Sequence, residues 1–349
     1  MLDVRRLRLL RDLARLGTIA AVARSHTYTP SAVSQQLAVL EGEAGLPLLE
    51  RTGRRVTLTP AGVVLVRHAE TVLGALEAAD AALAMARSEL SGPLRIGTFP
   101  TAVRPLLATA LVALGHDHPG LDLTVTELDP VDAPEALRER RLDVALVHDY
   151  DIMPVAVDQT LDAVPLLDEV VFLAMPAPEQ AGPAQAGIEP AGARDALDAV
   201  GAARHAAWIV GSPGTVCHAV ALQVGRAAGF TPQVRHHADD FAAVLALVAA
   251  GQGVALVPQL AVPQLAVPPA VPSAALPQLA AGRPPAGVRL VPLTIRRRTR
   301  ISYRRGAAGH PAVAAFVAAA RAATDTYLGA DSSLATDTGP GADNYLGAD

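Results

Sequence analysis

Between Pro60 and Leu90 the apolar residues Leu65, Ala69, Val72, Leu76, Ala79, Leu83, Ala86 and Leu90 recur at spacings of 4, 3, 4, 3, 4, 3 and 4. This heptad pattern predicts one long helix with a continuous apolar seam. Thr59-Pro60 opens it: threonine suits an N-cap, and proline suits the first helical position, whose N–H has no intrahelical partner anyway. Ser91-Gly92-Pro93 closes it. Such a helix either packs on its own domain or pairs with a second copy of the chain as a coiled coil. The second reading is favoured, with Leu65, Val72, Leu76 and Leu83 as dimerisation residues, because the helix lies between two domains and has no evident partner in its own chain. In both readings it divides the chain into two segments that differ in charge and in pattern.

The charge difference is large. The 349 residues carry a net charge of −5, yet residues 1–67 hold ten Arg against Asp3, Asp12, Glu41, Glu43 and Glu50, a local excess of +5. The remainder therefore carries −10. An asymmetry of this kind predicts one segment that meets phosphates and another that does not. All 29 basic residues are Arg, which excludes a P-loop lysine, a Schiff-base lysine and a Ser-Lys dyad. The Ala-rich, Lys-free composition suggests a GC-rich, bacterial genome. With 51% hydrophobic residues but 3% aromatics, the core must be built mainly from Ala, Val and Leu. Cys217 is the sole cysteine, so no intrachain disulfide is available, which is compatible with a reducing, cytoplasmic location. Phe241 to Gly282 contains no charge, but Gly251, Gly253, Pro258, Pro263, Pro268 and Pro269 cut it into pieces shorter than the roughly 20 residues of a membrane span. It reads as a buried helix, a buried strand and a proline-rich connection, with no membrane partner.

Before the long helix, Leu7, Leu10 and Leu13 recur at helical spacing, and a second short helix starts at Thr18. After the turn "HTY" comes a third, again with a Thr-Pro start at Thr29-Pro30. On this helix Val33, Leu37 and Leu40 share one face and pack inward. Ser31, Ser34, Gln35 and Ala38 share the opposite face, with Gln36 to the side. Small polar residues and an amide near a helix N-terminus fit a DNA major groove. Glutamine can bond bidentately to adenine N6 and N7, and serine hydroxyls can reach bases or phosphates. The bland alternative is a solvated polar face. Three features favour the groove: a preceding helix and turn, as in a helix-turn-helix; Arg51, Arg54 and Arg55 in the following turn and strand, where a wing would sit; and the local positive charge.

The stretch "TIAAVARSHTYTPSAVSQQLAVLEGEAGLPLLERTGRRVTLTPAG" resembles the DNA-binding region of the LysR-type transcriptional regulators. The segments "SAVSQQLAVLE", "GLPLLER" and "LTPAG" stand in that family's order and spacing, and the resemblance covers residues 3–90 in detail. Ile19 replaces a common aromatic, Leu49 a usual Phe, and Gln35 a frequent Arg. The resemblance implies an α+β multidomain chain. A winged helix-turn-helix would occupy residues 1–60 and a linker helix 61–90. A two-lobed α/β effector domain like the periplasmic binding proteins would occupy 93–324. It further implies a sequence-specific regulator and no enzyme, working as a homodimer or homotetramer on double-stranded promoter DNA, with a small effector between its lobes and RNA polymerase as a further candidate partner. Carried over residue by residue, base or groove contact falls on Pro30, Ser31, Ser34 and Gln35, and phosphate contact on Thr29, Gln36, Arg51, Arg54 and Arg55.

After Ser91-Gly92-Pro93 the pattern alternates strand and helix, the rhythm of a parallel sheet covered by helices. It restarts at "EVVFLAM", which predicts two lobes: lobe I from about 93–150 and 285–324, lobe II from about 160–265. Lobe I regains the chain through separate strands near "VRLVPL" and "RTRISYRR" and a final helix near 311–323. Residues 325–349, with "YLGAD" twice, are expected to be a disordered tail. Ligands of α/β lobes sit beyond the carboxyl ends of strands. Three stretches qualify: "GTFPTA" with Thr98, Phe99 and Thr101; "HDYD" with His148 and Tyr150; and "GSPGT" with Ser212 and Thr215. Hydroxyls at helix N-termini, Thr101 and Ser212 above all, would suit a small polar anion. No cofactor or metal is expected: Cys217 and His218 diverge on a helix, and His236 and His237 point to opposite faces of a strand. The competing reading is a two-lobed solute-binding or enzymatic α/β protein whose N-terminal helices serve only in assembly.

Overall fold

The computed structural model describes residues 1–52, 55–86, 90–154, 158–177, 196–262 and 286–329. Three helices open the chain: α1 (Val4–Leu16), α2 (Ile19–Ser25) and α3 (Pro30–Ala44). Each start is capped by a side-chain oxygen, from Asp3, Thr18 and Thr29 in turn, which satisfies amides that the helix itself leaves unpaired. Gly17, at φ 70°, ends α1 in the left-handed conformation that favours glycine. Leu7, Leu10, Leu13, Val22, Val33, Leu37, Leu40 and Leu48 close over one core, each large side chain contributing about 1.5–3 kcal/mol. A short hairpin follows, β1 (Leu49–Thr52) against β2 (Arg55–Leu58), with Leu49 opposite Leu58. Glu41 anchors its start, accepting from the amides of Leu48 and Leu49 at 2.8 and 3.0 Å.

The long helix α4 (Pro60–Met85) is capped by Thr59. It is shorter than its seam predicted: Ala86 is its C-cap, residues 87–89 lie outside the described residues, and Leu90 belongs to no helix. Past its midpoint it meets the second half of the chain backbone to backbone. A Cβ at Gly306 would stand 2.3 Å from the Gly74 carbonyl oxygen, so only glycine, here at φ 91°, permits the approach.

The second half is organised on a six-stranded sheet of order β4-β3-β5-β10-β6-β9. β3 (Gly92–Thr98) runs parallel to β4 (Leu121–Glu127) and β5 (Val144–Tyr150). Short α5 (Pro100–Ala102), one π turn and α6 (Ala108–Asp117) follow β3, and α7 (Ala133–Arg138) precedes β5. β6 (Leu161–Pro176) and β10 (Val288–Arg304) are 16 and 17 residues long and antiparallel, and they pass through both lobes. The two strands expected near "VRLVPL" and "RTRISYRR" are thus one, because Ile295 to Arg298 continues the alternation and irregularities of register replace a turn. In the second lobe β9 (Ala255–Pro258) pairs with β6, and the parallel pair β7 (Ala207–Val210) and β8 (Gln233–His237) joins it through a Trp208–Val254 bridge. Helices α8 (Ala196–Ala202), α9 (Val216–Ala227) and α10 (Phe241–Ala249) cover this lobe, and α11 (Pro311–Gly329) covers the first. α11 runs to Gly329, so the helix takes in the first residues of the expected tail; residues 330–349 lie outside the described residues. Among the described residues no helix is long and apolar enough to cross a membrane.

Candidate nucleic-acid interface and effector cleft

Helix α3 is held from beneath and open above. Val33, Leu37 and Leu40 are buried, while Pro30, Ser31, Gln35 and Ala38 are exposed and Ser34 is half-buried. Thr29 Oγ1 accepts from the Ala32 amide at 3.2 Å and lies 2.9 Å from Ser31 Oγ. Gln36, expected at a phosphate, is half-buried. Its carbonyl oxygen accepts from Arg6 Nε at 2.9 Å, and Arg6 also pairs with Glu43, so the side chain ties α3 to α1. Arg51 and Arg55 sit on the hairpin opposite Val56 and Thr52; their side chains, and all of Arg54, lie outside the described residues. Below the helix pair, Asp12 is buried and accepts from Arg11 Nε and Nη2 at 2.9 and 2.7 Å, with His26 Nε2 at 2.6 Å. Burial pushes its carboxyl up, but the His26 hydrogen bond and the Arg11 charge outweigh this and hold it below its ordinary value.

The seam of α4 divides. Leu65 and Ala69 pack into the N-terminal core, whereas Val72, Leu76 and Leu83 are 40, 41 and 69% exposed. The buried residues of the helix's later part are Leu73 and Ala81, off the seam.

A cavity of about 260 Å³ lies where the carboxyl ends of β3, β4, β5, β7 and β8 converge between the lobes. Phe99, Ile209, Phe241, Val244 and Leu256 give it apolar walls. All three predicted stretches reach it, through Phe99 and Thr101, His148, and Thr215. Three predicted residues do not line it. Thr98 is buried on the strand, its hydroxyl donating to the Phe99 carbonyl at 3.3 Å. Tyr150 is buried behind the wall, its hydroxyl donating to the Cys217 sulfur. Ser212 turns away, its amide and hydroxyl donating to Asp239 at 2.7 and 2.6 Å.

The centre of the wall is Arg297, 1% exposed. Its Nε meets Glu169 Oε1 at 2.6 Å, its Nη2 donates to Thr101 Oγ1 at 3.1 Å, and its guanidinium carbon lies 5.0 Å from the centre of the Phe99 ring. The other Glu169 oxygen accepts from the Leu260 amide at 2.7 Å. Glu169 thereby fastens an arginine of the shared strand to the loop after β9. His148 packs edge-on against Phe99, 4.6 Å between ring centres, and burial together with Arg297 holds its imidazole neutral, well below the ordinary value. Cys217 also lines the cavity, and burial pushes its thiol up. Among the described residues no three His, Cys, Asp or Glu side chains converge as metal ligands.

A capped helix with an exposed polar face, a hairpin beside it and a two-lobed cleft behind a long helix make a specific combination. The profile of the bacterial regulatory helix-turn-helix proteins of the lysR family matches residues 4–63, and that of the LysR substrate binding domain matches residues 87–325. This chain belongs to the LysR family. The regulator is 33% identical over 260 residues to a probable hydrogen peroxide-inducible genes activator of Mycobacterium avium, covering 72% of this chain and 78% of the relative. It is 26% identical over 260 residues to the transcriptional dual regulator GltC of Bacillus subtilis, covering 74% and 81%. Its fold is shared with a cysteine mutant of OxyR from Corynebacterium glutamicum, at 23% identity and a TM-score of 0.51, covering 96% and 95% of the two chains. This LysR-type protein is therefore a DNA-binding transcriptional regulator with an effector-binding domain, and not an enzyme.

Several cleft residues of the regulator escaped the sequence reading. Arg297 was legible in principle: Ile295, Arg297, Thr299 and Ile301 are buried at every second position with half-buried arginines between them, so period two turns Arg297 inward. Cys217 follows the strand-end loop "GSPGT" on the first turn of α9, a position that faces a cleft at strand ends. Glu127, Asp129 and Asp239 gave no periodic signal, because they leave strands for loops.

Proposed function

We propose that this regulator reads a promoter through the exposed face of α3, with Pro30, Ser31, Ser34 and Gln35 at base edges or the groove floor. Thr29 and the wing residues Arg51, Arg54 and Arg55 meet phosphates. The winged helix-turn-helix, linker and effector units follow the boundaries 1–60, 61–90 and 93–324, and the protein acts in the cytoplasm. Two copies pair along the exposed part of the α4 seam, and dimers associate as a tetramer. A small molecule entering the cleft lined by Phe99, Thr101, His148 and Thr215 changes the relation of the lobes and hence the spacing of the DNA-binding units.

The observation that carries the reading is the coexistence of an exposed, small-residue α3 face with its apolar side fully committed to the core. A gel shift with the DNA upstream of the regulator's own gene tests it. Specific retardation that weakens as salt rises is expected, since phosphate contacts release counterions. Absent or salt-independent binding defeats the reading. The names of several relatives point to peroxide, and Cys217 on the cavity wall gives that second reading its one support. The raised thiol pKa and the lack of a second cysteine favour a reversibly bound effector instead.

A further inference from the structure

The guanidinium and the helix N-terminus that would hold an anionic effector are already engaged by the chain itself. The Thr101 hydroxyl accepts from Arg297, and Arg297 is committed to Glu169 and to the Phe99 ring. The N-terminus of α9 is occupied as well. Thr215 caps the His218 amide, and both oxygens of Asp129 lie 3.4 Å from the Val216 amide, reaching across from the loop after β4. Ser212, the other hydroxyl expected to meet an anion, is bound to Asp239.

What remains on the wall without a counterion is negative. Glu127, Asp129 and Asp239 all line the cavity, and none of them forms an ion pair among the described residues. Glu127 and Asp239 continue into the adjoining groove, which adds Asp240 and one arginine, Arg104. Burial pushes the Asp129 carboxyl up; the Val131 and Val216 amides only partly offset this, Asp132 and Asp239 add to it, and its hydrogen-bond partners are neutral. One neutral polar group is unsatisfied too: His148 is 6% exposed and its Nδ1 has no hydrogen-bond partner. Of the buried side-chain atoms without a partner among the described residues, only this one belongs to a cavity-lining residue. The rest of the wall is apolar, with Phe99, Ile209, Phe241, Val244 and Leu256.

We propose that the effector is a small cation with an apolar body, its ammonium or amidinium group set against Asp129, Asp239 and Glu127 and its body against the Phe99, Phe241 and Leu256 wall. The inference rests on the reading of this cleft as the effector site. A cation there competes with the α9 N-terminus for Asp129, which links the first lobe to the second, so occupancy bears directly on the contact between the lobes.

The test uses three compounds of similar shape and different charge, phenethylamine, 2-phenylethanol and phenylacetate, added to the full-length protein in calorimetry and thermal-shift measurements. Tighter binding of phenethylamine than of the other two is expected, weakened by about tenfold or more in Asp129→Asn, which keeps an oxygen for the Val216 amide but removes the charge. Circular dichroism of the unliganded variant checks its fold, and Asp239→Asn serves if Asp129→Asn does not fold. Phenylacetate binding equal to or tighter than phenethylamine, and lost in the cleft-filling Ala221→Phe, overturns the cationic class while leaving the cleft as effector site. Binding of none of the three at millimolar concentration, or binding untouched by Ala221→Phe, overturns both.

Discussion

Arg297 and Glu169 form an ion pair with 2.6 Å between Nε and Oε1, and neither side chain is more than 1% exposed. The pair joins β10 to β6 at the back of the effector cleft, where both strands cross from one lobe to the other. Removing one partner leaves a buried charge without its counterion, which costs about 3–5 kcal/mol. Arg297→Met is therefore expected to lower the free energy of unfolding by about that amount in urea titration. The double variant Glu169→Leu/Arg297→Met recovers most of the loss. A single variant as stable as the wild type contradicts the pairing.

The Asp12–His26–Arg11 cluster makes the N-terminal unit acid-sensitive. The folded-state pKa of Asp12 lies below its ordinary value, so its contribution is present above that value and disappears as pH falls through the lowered one. Asp12→Asn is expected to cost about 1–3 kcal/mol near neutral pH. The gap in melting temperature from the wild type should close as pH drops below about 4. A gap that stays constant down to pH 2 excludes this linkage.

Leu76 and Leu83 are exposed in the single chain, so changing them leaves its fold alone. Leu76→Glu/Leu83→Glu is expected to keep the helical circular dichroism and to halve the mass seen by light scattering, because opposed carboxylates then face each other along the seam. An unchanged mass moves the dimer contact elsewhere.

Gln35 and Arg54 separate the two kinds of DNA contact. Gln35→Ala is expected to cost about 1–3 kcal/mol at one base pair while leaving the salt dependence as it was. Arg54→Ala should weaken all sequences alike and reduce the salt slope by about 1. Binding-site selection with both variants decides it; equal effects on every sequence from both changes contradict the division.

Cys217 is expected to be a slow nucleophile, since burial raises its thiol pKa and the Arg297 charge and the Tyr150 hydroxyl only partly offset this. At pH 7.5 its alkylation by iodoacetamide, followed by mass spectrometry, should be slower than that of a free cysteine peptide and should accelerate on unfolding. Alkylation at the free-peptide rate would revive the thiol-based reading of the cleft.

The N-terminal unit was legible because each of its signals is local. Thr-Pro starts, the leucine spacing and the Gly17 stop are short-range rules that the structure obeys residue by residue. The cleft was only half legible. Strand-end stretches could be named, and Phe99, Thr101, His148 and Thr215 lie on its wall. Thr98 lies off the cavity because alternation along β3 turns it the other way, whereas Tyr150 shares the face of His148 and is covered by Cys217 of α9, a long-range contact with no local signal. Arg297 fell between the two strands expected near "VRLVPL" and "RTRISYRR", because the 17-residue strand that buries it exists only once β5 and β6 flank it. Asp129 reaching α9 across 87 residues of sequence had no local signature at all.

β10 is irregular at two places, between Pro292 and Arg296 and between Thr299 and Arg300. Arg297 sits on the short piece they bracket. Two lobes that share paired strands are not hung on free linkers, and a twist between them is expected where the register slips, on either side of the paired piece that holds Arg297 against β5 and β6. Under the proposed function, an effector pressing on the cleft's central arginine would therefore load the shared strand in torsion between those two slips.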